Sequence, residues 1–445
     1  MDHPYQKFIF DSFALDQGEG RIELRYSLDN KIKFLETIDL ALGMEYQEIA
    51  MTLMDRALFA LHLIGGTSYY KTYCPPEIEV HSEMLSKDHA EFWNKVYLNG
   101  LGEFFYKNRV DPAGLINFPS RDTIPLRQIE RPKESKKVLL PIGGGKDSIV
   151  AMEMLKKSGF DVTLLRMGGH PLIDEVVKTS DLPVITLERN LSPQLLELNT
   201  QDAMNGHIPF TGYVSCLSTV IALLYGFDTI VMSNERSASE GNIEYKGMNI
   251  NHQWSKSFEF EQMFANYIKN FITNDLAYFS VLRHLSELSI TRYFCTMPEY
   301  FDKVTSCNAN WKIIQKPTDK RWCHECPKCA FSFCLFAAFL PKDTLLEIFG
   351  KNLFEDTSLS ILYRMILGIE GTKPFDCVGT PEEAQAAFLL AHERGDLDDT
   401  FTMQMFLKEV LPTIKDPEKL KNDVLQPSTQ NAIPEEFLTA LHGHS

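Results

Sequence analysis

The chain has 445 residues, 44% of them apolar and 11% aromatic, which suffices for two or three globular domains with substantial cores. Its formal net charge of −16 argues against a surface that grips nucleic acid and weakens a tRNA-modifying role, while leaving room for an anionic small substrate held by a few local cations. Nine cysteines, an odd number with three packed into Cys323, Cys326 and Cys329, point to thiolate ligands in a reducing compartment rather than to a disulfide framework. The N-terminal Met-Asp-His-Pro shows no basic or apolar leader, and the longest apolar run, Phe331 to Leu340, is too short to cross a bilayer. A cytoplasmic protein without membrane insertion is expected.

The chain opens with strands. Ile22, Leu24, Tyr26 and Leu28 alternate with polar residues, Asp29-Asn30 can turn, and Ile32 and Phe34 resume the alternation, which predicts a hairpin. Helical spacing runs from Tyr46 to Ile64 and closes at Gly65-Gly66, and a second helix is expected from Lys87 to Phe105 behind Ser86. Between them, Gly65 to Lys71 is glycine-rich and hydroxylated, either an anion-binding loop or a plain structural turn. The charged, proline-bearing stretch Arg121 to Lys137 reads as a linker.

The run Val138 to Ile142 is short and apolar, as a strand buried on both faces should be, and a helix begins near Asp147. Gly143, Gly144 and Gly145 let the connection turn sharply and present several N–H groups, with the helix dipole, to an anion. A Walker A loop fails on spacing, because Asp147 follows Gly145-Lys146 and Leu140 stands five before Gly145. The dinucleotide fingerprint fails because Ser148 stands where its third glycine belongs. The stretch Gly143-Gly-Gly-Lys-Asp-Ser148 resembles instead the Ser-Gly-Gly-x-Asp-Ser loop of the PP-loop ATP pyrophosphatases, with Gly143 in place of the first Ser.

Beyond Ser148 the pattern alternates: helix 148–158, strand Asp161 to Met167, helix 171–179, strand Val184 to Leu187, a long helix Phe210 to Tyr225, strand Thr229 to Met232 and a fifth strand over Tyr278 to Leu282. Right-handed crossovers then give one doubly wound parallel sheet that binds ligands at the carboxyl ends of its strands. The polar loop Ser233 to Ser239 should face the nucleotide, and Asn205 to Pro209 and Asn251 to Lys256 have similar composition. Cys323-x2-Cys326-x2-Cys329, with Cys307 sixteen residues earlier, forms a set for tetrahedral zinc or, less favourably, an iron–sulfur cluster, with His324 as a substitute ligand. The tail from Asp376 reads as helical and surface-like, with a capping box at Thr380-Pro-Glu-Glu383.

Gly100-Leu-Gly-Glu-Phe104, Pro141 to Ser148, Asn205 to Pro209, Ser233 to Ser239, Asn251 to Lys256, Leu285-Ser-Glu-Leu288 and the Cys307 to Cys329 cluster together resemble the UDP-N-acetylmuramoyl-L-alanyl-L-glutamate epimerase (MurL) family. The resemblance implies an α/β chain in which a HUP-like, doubly wound PP-loop domain (134–300) follows an α+β N-terminal domain (1–133). It precedes a cysteine-cluster region (301–377) and a helical tail (378–445). It also implies a peptidoglycan enzyme that converts the terminal L-Glu of UDP-MurNAc-L-Ala-L-Glu into D-Glu, using ATP and Mg2+ and releasing AMP and pyrophosphate. Gly143, Gly144, Gly145, Lys146, Asp147 and Ser148 would then hold pyrophosphate and metal, with Ser233 and Asn234 on the nucleotide. His207, Glu235 and His252 are the proton-transfer candidates, and Arg236 and Lys256 the charge stabilisers. Cys307, Cys323, Cys326 and Cys329 would carry structural Zn2+. Two rivals remain: an adenylating amide- or nitrile-forming enzyme similar to the 7-cyano-7-deazaguanine synthases, which would need ammonia or another nucleophile, and a non-catalytic nucleotide sensor, which would release no pyrophosphate.

Overall fold

A computed structural model describes residues 4–40, 51–122, 137–311 and 320–442. Strands β1 (Lys7–Asp16), β2 (Arg21–Leu28) and β3 (Ile32–Asp39) form an antiparallel meander, and β4 (Glu77–Val80) lies parallel to β1. Asp29 and Asn30 both take positive φ (51° and 57°) as the central residues of the turn that the Lys31 N–H closes on the Leu28 carbonyl at 2.8 Å. Strands β5 (Lys137–Pro141), β6 (Asp161–Met167), β7 (Val184–Asn190), β8 (Thr229–Met232) and β11 (Ala277–Ser280) pair in parallel and coincide with the five expected strands, while β9 (Ile243–Tyr245) and β10 (Met248–Ile250) make a separate hairpin.

The meander and the parallel strands are one sheet of order β11-β8-β5-β6-β7-β3-β2-β1-β4, joined where Ile38 of β3 pairs antiparallel with Arg189 of β7. The linker expected between them falls largely in 123–136, outside the described residues. At the seam the fully buried Glu36 accepts two hydrogen bonds from Arg189 (2.9 and 3.0 Å), one from Tyr69 Oη (2.9 Å) and one from Tyr213 Oη (2.7 Å). The Arg189 guanidinium also lies over the Tyr213 ring at 3.8 Å. Four donors on one carboxylate compensate its desolvation, which a single partner would not.

Two local expectations change, and one open alternative is decided. The helix expected over Lys87 to Phe105 breaks at Leu101 into Lys87–Gly100 and Gly102–Asn108. A Cβ on Gly100 would stand 2.8 Å from Pro209, and one on Gly102 3.2 Å from Ile250, so the break lets two other segments pack close. The stretch after Gly65 is no anion loop: Thr67 to Tyr70 are buried in a short helix, and a Cβ on Gly66 would overlap Phe10 and Tyr97. The tail is not surface-like either. In helix Pro381–Arg394, Ala384, Ala386, Ala387, Phe388 and Ala391 are fully buried, the small alanines allowing close approach to helix Pro327–Ala337. The helix with the Gly65 end runs Met51–Gly65, its expected start at Tyr46 lying outside the described residues. No described helix is long and apolar enough to cross a membrane.

Replacing Arg189 by Met strands the Glu36 carboxylate in the seam, so it is expected to lower the unfolding free energy by about 3–5 kcal/mol. Adding Glu36→Gln should recover part of that loss, and urea denaturation of the single and double variants reads both effects.

Candidate active site

The chain leaves β5 through the three glycines and enters helix Lys146–Lys157, which Gly145 caps in extended conformation. Gly144 sits at φ +75°, a left-handed turn that a side chain resists. No atom lies within 4 Å of where a Cβ on Gly143 would point, so that face of the turn is open. Ser148 Oγ bonds back to Gly145 O at 2.9 Å, which steadies the turn.

Carboxylates from three segments converge beside it. Asp147 is on the first helical turn, Glu235 follows β8, and Glu287 opens helix Glu287–Phe294; their oxygens lie within 4.8 Å of one another. Lys146 bridges Asp147 (2.5 Å) and Glu287. Burial opposes its charge, but the two carboxylates outweigh burial and hold the ammonium form. Glu287 is pushed the other way, its pKa raised by burial and then by Asp147. Glu235 is 1% exposed, and among the described residues its Oε1 has no hydrogen-bond partner. An orphaned carboxylate oxygen beside two other carboxylates is the donor set that a hard divalent cation takes, and the residues fit one.

Lys256 connects this cluster to a second one. Its charge acts on Glu235, Asp147 and Glu287 on one side, and on the other its Nζ donates to Cys377 Sγ at 3.5 Å. His252 is hydrogen-bonded both to Cys377 and, through Nδ1, to Glu103. Glu103 is carried by the short helix that the Leu101 break creates, and Lys107 also pairs with it. His207 packs against His252 with ring centroids 4.4 Å apart and the rings tilted by 44°. The two imidazoles are driven apart in protonation. Burial opposes the charge of both, but the bonds to Cys377 and Glu103 raise His252 to about 9, whereas His207, facing that charge, is lowered to about 3. Burial likewise opposes a Cys377 thiolate, but Lys256, Lys328 and His252 outweigh it and bring the half-buried thiol down to about 6.

The scaffold behind these groups is polar and buried. Arg283, 1% exposed, pairs with Glu261 (2.8 Å) and donates to the carbonyls of Glu235 and Lys256, thereby fixing the two loops that carry those residues. Glu383 completes the expected capping box with Thr380 and reaches across to Ser237 Oγ (3.0 Å) and the Glu287 amide (2.8 Å).

Of the residues singled out from sequence, Gly143 to Ser148, Glu235, His207, His252 and Lys256 are gathered in this cleft. Ser233 and Asn234 lie at the carboxyl end of β8, where Ser280 Oγ holds the Asn234 carbonyl at 2.6 Å. Arg236 turns elsewhere: its guanidinium binds the carbonyls of Val424 (3.0 Å) and Gln426 (3.1 Å). Glu103, Glu287, Arg283 and Cys377 escaped the sequence reading. The words Gly100 to Phe104 and Leu285 to Leu288 already contained two of them, while Cys377 offered no motif.

Cys307 joins the tight turn of Cys323, Cys326 and Cys329, with Sγ···Sγ distances of 3.5 Å (326–329), 3.8 Å (323–329) and 4.0 Å (307–326). Four thiolates about 2.3 Å from a tetrahedral metal stand about 3.8 Å apart, so the set fits a metal. His324 is no substitute ligand; it takes positive φ and bonds the Phe349 carbonyl at 2.6 Å, and Cys307 is near enough.

The MurL N-terminal domain model matches residues 1–281 and the MurL C-terminal domain model residues 303–421. The chain belongs to the MurL family. The MurL relative from Xanthomonas oryzae pv. oryzae (strain MAFF 311018), named UDP-N-acetyl-alpha-D-muramoyl-L-alanyl-L-glutamate epimerase, is 38% identical over 430 residues, covering 95% of this chain and 94% of its own. Relatives with the same name from Micromonospora sp. (strain ATCC 39149 / NRRL 15099 / SCC 1413) and Salinispora tropica (strain ATCC BAA-916 / DSM 44818 / JCM 13857 / NBRC 105044 / CNB-440) are 34% and 35% identical, covering 98% and 91% of this chain and 97% and 89% of theirs. The cleft draws on both MurL regions: the N-terminal one supplies the glycine turn, the histidines and Lys256, and the C-terminal one Cys377 and Glu383.

The two glycines differ in what they tolerate. Gly143→Ser should leave the melting temperature unchanged, whereas Gly144→Ala should lower stability by about 1–2 kcal/mol because of its left-handed backbone; thermal denaturation of both compares them.

Proposed function

We propose that this chain epimerises the terminal L-Glu of UDP-MurNAc-L-Ala-L-Glu to D-Glu, with ATP activating the glutamate α-carboxylate as an acyl-adenylate and AMP and pyrophosphate released. The observation that carries this reading is that a glycine turn with a lysine and three carboxylates stands one side chain, Lys256, away from a pair of histidines of opposite protonation. Activation and proton transfer thus share one cleft. The names of the MurL relatives give the substrate.

The α-proton of a free carboxylate is barely acidic, because its removal would set a second negative charge beside the first. An adenylate removes that charge and accepts the carbanion's electron pair, so proton loss from one face and return on the other inverts the centre, and water then releases AMP. In this PP-loop reading of a HUP-like sheet, the amides of Gly143 to Gly145 and the Lys146 ammonium bind the pyrophosphate, with Ser233 and Asn234 along the nucleotide. Asp147, Glu235 and Glu287 would hold Mg2+, which when bound neutralises phosphate charge. Lys256 stabilises the developing enolate, and His207 and His252 serve the proton transfer. Arg236 steadies the last helices against the loop that bears Glu235. The four cysteine thiolates hold a structural Zn2+ outside the reaction.

Purified protein given ATP, Mg2+ and UDP-MurNAc-L-Ala-L-Glu should yield D-Glu on chiral analysis with matching AMP; glutamate that stays wholly L would sink the proposal. Solvent deuterium should enter the glutamate α-carbon only when ATP is present. Asp147→Asn and Glu235→Gln should each lower AMP formation by roughly 10²–10³-fold. The metal content of the purified chain should approach one zinc per chain and fall with Cys329→Ser; an iron–sulfur absorption band would overturn the zinc assignment.

A further inference from the structure

Resting on the epimerase reading above, we propose that Cys377 is a catalytic residue of the proton transfer: its sulfur takes the α-proton from one face of the activated glutamate, with His252 and Glu103 as positioning residues behind it.

The placement comes from contacts made by four separate segments. Phe375 stacks on Tyr106 (ring centroids 5.3 Å apart), the Pro374 carbonyl accepts from Asn242 Nδ2 (2.9 Å), and Asn308 Nδ2 donates to Asp376. These hold the bent segment 374–377 against the loop bearing His252, whose amide bonds the same Asn242 at 2.9 Å. Cys377 is thereby set in a line Cys377, His252, Glu103, with the Lys256 ammonium 3.5 Å from its sulfur. The charged groups facing it are Lys256, Lys328, His252 and the neighbouring Asp376, three cations against one carboxyl. Such surroundings keep a thiol ionised near neutral pH, and Cys377 is brought down to about 6. Cys377 is only partly buried, unlike Cys74, Cys216 and Cys334, which are buried and whose thiols burial pushes up. The charge of Lys256 also acts on Glu235 and Asp147, so one ammonium links the sulfur to the carboxylates beside the glycine turn, where an adenylated carboxyl would sit.

In the step, the Cα–H bond breaks as the S–H bond forms, and the electron pair moves into the activated carbonyl. A proton drawn from water on the opposite face then forms the new Cα–H bond. The proton on sulfur returns to solvent past His252, leaving the thiolate as it began, and no redox partner is required.

The test follows Cys377→Ala and Cys377→Ser in D2O with ATP, Mg2+ and UDP-MurNAc-L-Ala-L-Glu, reading AMP, D-Glu and deuterium at Cα separately. Both variants are expected to keep AMP formation within about threefold of wild type while D-Glu formation falls by roughly 10²–10⁴-fold, with little deuterium gained. D-Glu formation unchanged in the variants, or AMP lost in step with D-Glu, overturns the assignment, and a hydroxylamine-sensitive acyl group on the sulfur would make it a nucleophile instead. A wild type that forms no AMP from this substrate fails the epimerase reading itself. Independently of turnover, iodoacetamide labelling of Cys377, followed by peptide mass spectrometry, should show a midpoint near pH 6, moved upward by His252→Gln. A midpoint at the ordinary thiol value of about 8.5 also overturns the proposal.

Discussion

Asp147, Glu235 and Glu287 share a space in which none can be fully solvated, and like charges at such range do not coexist unless cations separate them. Lys146 lies inside the group and Lys256 at its edge, and the balance is still incomplete, since one Glu235 oxygen has no hydrogen-bond partner among the described residues. Much of the surrounding structure serves this crowding. Arg283 fixes the backbones of Glu235 and Lys256 through their carbonyls, so its own charge goes to Glu261 and not to the cluster. Glu383 spends its oxygens on Thr380, Ser237 and the Glu287 amide, which keeps a fourth carboxyl, raised by burial, from competing for the same cations.

The sheet explains how residues so distant in sequence meet. The parallel strands β5, β8 and β11 lie side by side, and the chain segments that follow them carry Asp147, Glu235 and Glu287. Glu103 and His207 come from segments outside that pattern. They reach the cleft because Gly100 and Gly102 have no Cβ: Pro209, two residues past His207, packs on the first, and Ile250, two before His252, on the second. One break in a helix thus sets the spacing of an acid and two imidazoles.

The parts legible in sequence were those with a local signature. The alternation of β2 and β3, the five apolar parallel strands, the glycine turn, the cysteine spacing and the Thr380 capping box each depend on a few consecutive residues, and each is present. What escaped depends on partners far along the chain. The pairing of β3 with β7 turns on Glu36 meeting Arg189, Tyr69 and Tyr213, none of which is marked by its neighbours. Helix Pro381–Arg394 has a weakly segregated pattern because alanines face several helices at once, so it looked like surface. Cys377 was invisible for the same reason: its character is set by Lys256, Lys328 and His252, not by the residues beside it.

The pairing of His207 with His252 shows how one residue type can be divided into two chemical roles. Two imidazolium rings 4.4 Å apart repel each other, so the proton goes to the ring nearer a negative charge. Glu103 lies against His252 and stands 3.8 Å from His207, and Cys377 adds a second partner to the same ring. His252 is therefore the imidazolium and His207 the neutral ring, a choice made by the helix break that aims Glu103. Neutral and charged imidazoles then face each other across the cleft's second half, while the first half holds only carboxylates and ammonium groups. Carboxyl activation needs fixed charge and proton transfer needs groups that change theirs, and in the proposed reaction these two demands would fall on opposite sides of Lys256.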